Sequence, residues 1–249
     1  RLLLLLHGPL ERLPLELIEL EGEPLDRWLT PLTLPGLPAA EPGSAPALAR
    51  ANGEPWVLAG DPVDNARKLP QLPGAREELA LLGRLHPGSA TLQRESFTLA
   101  GVRDALRGSG PLHIATHLIE ECEHPDRTLA PASLLLTGGE RLCTHDVAEI
   151  RPRSPLVVLS ACATAEGRYL DAQGLGGMAR AFLESGTRNV LVTLWPVEDR
   201  AAQAFAAAFH RALAEGDTPS QAARAAREAL RRADWGPAAV GAFRVLGRD

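Results

Sequence analysis

The chain has 249 residues, 45% hydrophobic and 23% charged, which is enough apolar material for a sizeable core and excludes a disordered polypeptide. A formal charge of −5 argues against a nucleic-acid partner, because such binders ordinarily carry a basic balance. Three cysteines, Cys122, Cys143 and Cys162, form no disulfide framework and point to a reducing compartment, the cytoplasm.

The run Leu2–Leu6 is too short to span a bilayer, and no small-residue cleavage site follows it, so neither membrane nor leader is expected. The chain opens at Arg1 directly in a strand-like segment, as one module of a longer polypeptide would. Short apolar runs up to Leu34, broken by Gly8-Pro9 and Glu21-Gly22, predict strands and hairpins. Residues 35–55 are rich in Pro, Gly, Ala and Ser and read as a surface connection. Residues 1–54 are therefore assigned to hairpin strands and a connection within the same module, and residues 55–249 to its core.

From Trp56 onward, strands alternate with helices. A strand over 56–59 ends at Gly60-Asp61-Pro62. A helix over 73–85 carries Leu79, Leu82 and Leu85 at helical spacing. A strand near 90–92, a helix over 98–106 and a strand over 112–116 follow, the last stopping at His117. Residues 134–143 around Gly138-Gly139 predict a hairpin, with Thr144 as cap of a short helix. The strongest strand, 156–159, runs into Ser160-Ala161-Cys162. A helix over 173–185, a strand over 189–194, helices over 198–214 and 219–232, and a strand over 242–246 complete the chain. Short continuous apolar runs alternating with helices define an α/β fold, a mostly parallel sheet covered on both faces.

Ligands of open parallel sheets bind beyond the carboxyl ends of the strands. Two strands carry reactive residues there, His117 and Cys162, 45 residues apart. On neighbouring strands their ends would lie roughly 5 Å apart. A thiol near pKa 8.5 is mostly protonated at neutral pH, and an adjacent imidazole can take its proton and later protonate a leaving amine. The competing reading makes Cys162 a small core hydrophobe and His117 structural.

Weaker signals are Cys122-x-His124 with Cys143-x-His145, whose spacing is short for a Cys₂His₂ zinc site. His113-x-x-x-His117 lacks the Glu of a zincin and lies on a strand, so His113 reads as a core histidine. Gly174-x-Gly176-Gly177 is better explained by helix packing than by phosphate binding. Arg224, Arg227 and Arg231 read as a solvated helical stripe. No cofactor and no metal are assigned.

Several stretches carry a family resemblance: HIATH at 113–117, LSAC at 159–162, the Gly-rich helix start at 174–177 and LWPVE at 194–198. GPLERLP near the start, LPGAREEL at 72–79 and the closing segment 235–247 extend it. Together they resemble the CHAT family of caspase-like cysteine peptidases over nearly the whole chain. The resemblance implies a caspase-like fold and a cysteine endopeptidase, with Cys162 as nucleophile and His117 as general base. It implies an oxyanion hole from the backbone N–H groups of Cys162 and Leu118. The family has Gly directly after the histidine, and if that position needs a left-handed backbone, Leu118 costs about 1–2 kcal/mol. The pocket for the residue before the cut would lie between Ser160 and the loop Trp195–Asp199. Trp195 would give it an apolar face, and Glu198 or Asp199 a buried carboxylate favouring Lys or Arg. The alternative is that both acids serve the dipole of the next helix. The implied partners are a protein substrate and a regulatory domain or protein outside this chain, in a bacterial signalling or antiphage defence pathway. The alternatives are a non-catalytic interaction scaffold and a zinc-stabilised structural domain.

Overall fold

The computed structural model describes residues 2–5, 13–28, 31–34, 54–63, 69–119, 122, 132–162 and 172–247. In chain order the first elements are β1 (Leu2–Leu5), β2 (Glu19–Leu20), β3 (Glu23–Pro24), α1 (Leu25–Trp28) and β4 (Pro31–Leu34). The core begins with β5 (Val57–Gly60), α2 (Pro73–Leu85), β6 (Ala90–Gln93), α3 (Leu99–Arg107) and β7 (Leu112–Ile119). Next come β8 (Ser133–Leu135), β9 (Arg141–Cys143), α4 (Thr144–Ile150), β10 (Leu156–Cys162) and α5 (Ala172–Glu184). The chain closes with β11 (Asn189–Thr193), α6 (Asp199–Ala214), α7 (Pro219–Arg232), α8 (Pro237–Val240) and β12 (Phe243–Gly247).

Local chemistry explains the boundaries. Pro73 starts α2, where its missing N–H costs nothing. Thr98 caps α3 by accepting from Gly101 N–H, and Thr218 and Gln221 form a reciprocal capping box on α7. The predicted hairpin is present as β8 and β9, joined through Gly138 and Gly139, both at positive φ. The cap of α4 is Cys143 rather than Thr144, because Asp146 accepts from the Cys143 N–H at 2.9 Å.

The main sheet has the order β1-β4-β12-β11-β10-β7-β5-β6, and β8 and β9 branch from β7. Every pairing from β6 to β11 is parallel, and β12 runs antiparallel to β11. The N-terminal strands differ from a simple hairpin arrangement. Among the described N-terminal residues only β2 and β3 form a hairpin; β1 and β4 pair in parallel and extend the sheet past β12.

Two apolar clusters fill the two faces. Val102, Leu106, Met178 and Phe182 of α3 and α5 pack on Ile114, Val157, Leu159 and Val190. On the other face Leu79, Leu82, Phe205, Phe209 and Leu230 of α2, α6 and α7 pack on Leu58, Ala115, Val158 and Leu191. Central strands buried on both sides are why their sequences read as continuous apolar runs.

The arginine stripe of α7 is not the solvated face expected from its spacing. Arg227 is buried and donates to Asp26 at 2.8 Å and to the Phe243 carbonyl; Arg231 donates to Asp26 at 3.0 Å. Arg224 alone of the three is exposed. Arg244 of β12 makes a two-pronged pair with Glu16, each contact 3.0 Å, and both residues are buried. Buried acids at 16 and 26 thus clamp the N-terminal segment onto α7 and β12. A helical stripe of cations shows period but not what faces it, and these partners lie about two hundred residues away in sequence. None of the described helices is long and apolar enough to cross a membrane.

Candidate active site

Strands β7 and β10 are parallel neighbours, and their register brings Cys162 opposite His117 as direct Cα partners. The expectation that these residues sit on adjacent strands is met at the backbone. The side chain of Cys162 lies outside the described residues. His117 does not end its strand, however. The β5 pairing stops at Ala115 and the β10 pairing at His117, and Leu118 and Ile119 then continue into a ladder with β8. His117 is the last residue of β7 held in the main sheet, at the edge where parallel sheets bind ligands.

The His117 ring is buried, and its Nε2 lies 2.9 Å from the carbonyl oxygen of Pro70, in the segment leading into α2. A carbonyl only accepts, so this contact fixes the proton on Nε2 and leaves Nδ1 as the basic nitrogen. The Pro70 carbonyl was not identified from sequence, since a backbone acceptor 47 residues upstream has no residue-type signature. Gly60 of the neighbouring strand permits a close approach to Ala115, two residues before His117 on β7. Its φ is +153°, and a Cβ there would overlap the Ala115 carbonyl oxygen.

Leu118 is not strained as the Gly-to-Leu departure suggested. It is extended strand residue paired with Leu134, and it is absent from the non-glycine positions with positive φ among the described residues. Its side chain is 1% exposed and belongs to the core with Leu134, Leu142 and Val147. Leucine stands there because the strand continues into β8 and needs an apolar residue facing inward.

Behind the two strands runs a buried polar network that the sequence only hinted at. Ser160 Oγ donates to Glu78 Oε2 at 3.1 Å, and Glu78 Oε1 lies 2.8 Å from His113 Nε2, close but out of line for a hydrogen bond. His113 Nδ1 and His210 Nε2 share a hydrogen bond of 3.0 Å, and His210 Nδ1 and His86 Nε2 one of 2.9 Å. Trp56 covers the far end, its ring 4.3 Å from His210 and 5.1 Å from His86 between centroids. Glu78, His113 and His210 are all buried. Burial pushes the pKa of His210 well below the ordinary value, and repulsion from His113 and His86 adds to it; His86 is lowered by burial and then by His113. His113 is a core histidine, as expected, and the network joins α2, α6, β7 and β10. Glu78 shares the apolar stripe of α2 with Gly74, Leu79 and Leu82, and a carboxylate in that stripe was the legible signal.

The remaining site candidates lie at the same edge. β11 neighbours β10 and ends at Thr193, so residues 195–199 leave the sheet beside the β10 terminus. Trp195 is half-buried and donates its Nε1–H to the Ala238 carbonyl at 2.7 Å. Glu198 and Asp199 are both exposed, not buried at the base of a pocket. Asp199 opens α6, where the helix dipole favours it, and packs where a Gly74 side chain would otherwise stand.

Two cysteines depart from the expectation of no disulfide. Cys122 and Cys143 are bonded, with Cα atoms 6.0 Å apart. The cause is topological: Ile119, Ser133 and Cys143 stand in one row across β7, β8 and β9, which brings the chain leaving β7 alongside Cys143. His145 Nδ1 is 3.6 Å from Cys122 Sγ, and the three potential ligand atoms lie within 4.8 Å of one another. His124, the fourth residue of the two Cys-x-His pairs, lies outside the described residues.

The largely parallel sheet between two helical layers is a caspase-like fold. The chain belongs to the CHAT domain family, whose profile matches residues 1–238. Tetratricopeptide repeat protein 28 of Mus musculus is 36% identical over 118 residues, 47% of this chain and 4% of that protein. Its Homo sapiens counterpart is 32% identical over 118 residues, with the same shares. The chain therefore spans a small fraction of the length of these relatives. Among solved structures, the Arg-specific cysteine proteinase gingipain R aligns with a TM-score of 0.51 at 13% identity, covering 77% of this chain and 45% of that chain. That likeness concerns the fold.

Proposed function

We propose that the chain is a cysteine endopeptidase domain that cleaves a protein substrate with Cys162 as nucleophile and His117 as base. The observation that carries this reading is the Cys162–His117 register together with the anchoring of His117 Nε2 on the Pro70 carbonyl. With its proton fixed on Nε2, the ring offers Nδ1 to the thiol, and the resulting thiolate attacks the substrate carbonyl. The backbone N–H groups of Cys162 and Leu118 are the oxyanion donors in this scheme. The imidazolium returns its proton to the leaving amine, and water, deprotonated by the same ring, releases the acyl group.

Ser160 and Trp195 border the subsite for the residue before the cut, and the exposed acids Glu198 and Asp199 at its rim favour a Lys or Arg side chain there. Gingipain R is Arg-specific by its description; for this chain the reading rests on its own acids. This reading extends, on the sequence resemblance alone, to a cytoplasmic role in bacterial signalling or antiphage defence, with a regulatory domain or protein outside this chain.

The test is identification of new peptide termini after the chain is incubated with a denatured protein mixture, with the Cys162→Ala variant as control. Termini that appear only with the parent chain and follow Lys or Arg support both parts of the reading. Termini following aliphatic residues overturn the basic preference alone. Identical termini with parent and variant overturn the peptidase assignment and leave the scaffold reading.

A further inference from the structure

The cluster of Cys122, Cys143 and His145 lies outside the catalytic scheme, and its composition exceeds what a disulfide requires. A disulfide needs two sulfurs and no imidazole, yet His145 Nδ1 sits 3.6 Å from Cys122 Sγ. Tetrahedral zinc binds sulfur at about 2.3 Å and nitrogen at about 2.0–2.1 Å, which sets ligating S and N roughly 3.6 Å apart and two sulfurs about 3.8 Å apart. The Cys122–His145 distance already matches, and all three ligand atoms lie within 4.8 Å of one another. Once reduced, the two sulfurs have to part, which side-chain rotation supplies while the Cα atoms stay 6.0 Å apart.

We propose that, once the Cys122–Cys143 bond is reduced, Cys122, Cys143 and His145 form a three-ligand site for a zinc ion. Two thiolates and an imidazole are a ligand set that suits zinc and disfavours magnesium or calcium. The frame is fixed in advance. Asp146 accepts from Cys143 N–H at 2.9 Å and from Arg103 at 2.7 Å, holding the start of α4 that carries Cys143 and His145. Cys122 and His145 are half-buried, so water can reach the ion and complete four-coordination.

The conversion balances with a thiol reductant. Two reductant thiols are oxidised to their own disulfide, and their two electrons and two protons turn the Cys122–Cys143 bond into two thiols. Zinc then displaces both thiol protons as two S–Zn bonds form, and the two thiolate charges neutralise the ion. Either clasp, covalent or metal, ties the chain leaving β7 to the start of α4. The site stands independently of the peptidase reading.

The experiment is a Co²⁺ titration of the full chain carrying Cys162→Ala, which removes the other candidate thiol, with and without prior reduction. The reduced chain is expected to bind one Co²⁺, with a sulfur-to-metal charge-transfer band and the visible spectrum of four-coordinate cobalt, and Zn²⁺ should displace it. The oxidised chain should show neither band. Cys122→Ser should abolish the signal, and His145→Ala should weaken binding at least tenfold. Cys122→Ser, at a half-buried position, carries the test should the buried Cys143→Ser variant unfold. No charge-transfer band in the reduced chain, or one that survives Cys122→Ser, overturns the proposal. So does an affinity unchanged by His145→Ala, or equal binding by the oxidised chain.

Discussion

Replacing Glu78 tests whether the polar network behind the strands holds the site together. Glu78 is 3% exposed; one oxygen accepts from Ser160 and the other faces His113, which is wholly buried. Removing Glu78 leaves the buried His113 ring and the Ser160 hydroxyl without the carboxylate they face, and a buried polar group left unsatisfied costs about 1–3 kcal/mol. For a domain of this size each kcal/mol moves the melting temperature by about 2–4 °C, so Glu78→Ala should melt about 2–12 °C lower. Glu78→Gln keeps an acceptor for Ser160 and should fall at the lower end. Ser160→Ala loses one hydrogen bond to a charged group, about 1.5–3 kcal/mol. Urea unfolding of Glu78→Gln, His113→Asn and the double variant gives the coupling directly, expected at about 0.5–3 kcal/mol for residues of one buried network. If Glu78→Ala unfolds within about 1 kcal/mol of the parent and the cycle shows no coupling, the network is incidental and the reasoning fails.

The lowered pKa values of His86 and His210 fix the sign of a pH effect: below about pH 6.5 the unfolded chain takes up protons that the folded chain refuses, so stability rises with pH through that window and levels off above it. Urea midpoints measured across the window check this, and midpoints that fall as pH rises through it contradict it. Leu118→Gly, which removes a side chain 1% exposed and places Gly in a strand, should cost about 3–5 kcal/mol rather than relieve strain; an unchanged melting temperature is the adverse result. Gly60→Ala should destabilise severely, because its Cβ would overlap the Ala115 carbonyl in a backbone conformation that favours glycine; wild-type stability would mean that β5 can shift freely. Arg244→Met should loosen the N-terminal segment by stranding buried Glu16, seen as faster proteolysis before residue 54; equal cutting rates would show the clamp to be dispensable.

Strand and helix order was legible because buried parallel strands give short apolar runs and the helices give a 3.6-residue period. The juxtaposition of Cys162 and His117 was legible for a related reason: two apolar runs of the sheet each led into a reactive residue, and the strands carrying them are neighbours. Three features were not legible, and each is set by a partner remote in sequence. The Pro70 carbonyl is backbone, and a residue type does not announce it. Asp26 and Glu16 bury the cations of α7 and β12 across the fold, which a helical stripe viewed alone presents as solvated. The Cys122–Cys143 contact follows from β8 pairing on both its edges, a matter of topology and not of spacing. Glu78 lies between these cases. A carboxylate in an apolar stripe is visible in sequence, but the histidine it faces comes from β7, and the two that follow in the chain of contacts come from α6 and from just past α2.

The most direct test of the central claim is the alkylation rate of Cys162 as a function of pH, read by mass mapping in the oxidised chain, where the bond between Cys122 and Cys143 protects both. With His117 accepting its proton, Cys162 should react as a thiolate well below pH 8.5, and His117→Ala should move the inflection up toward about 8.5. Superimposable profiles for the parent and His117→Ala, both inflecting near the ordinary thiol value, would contradict a dyad.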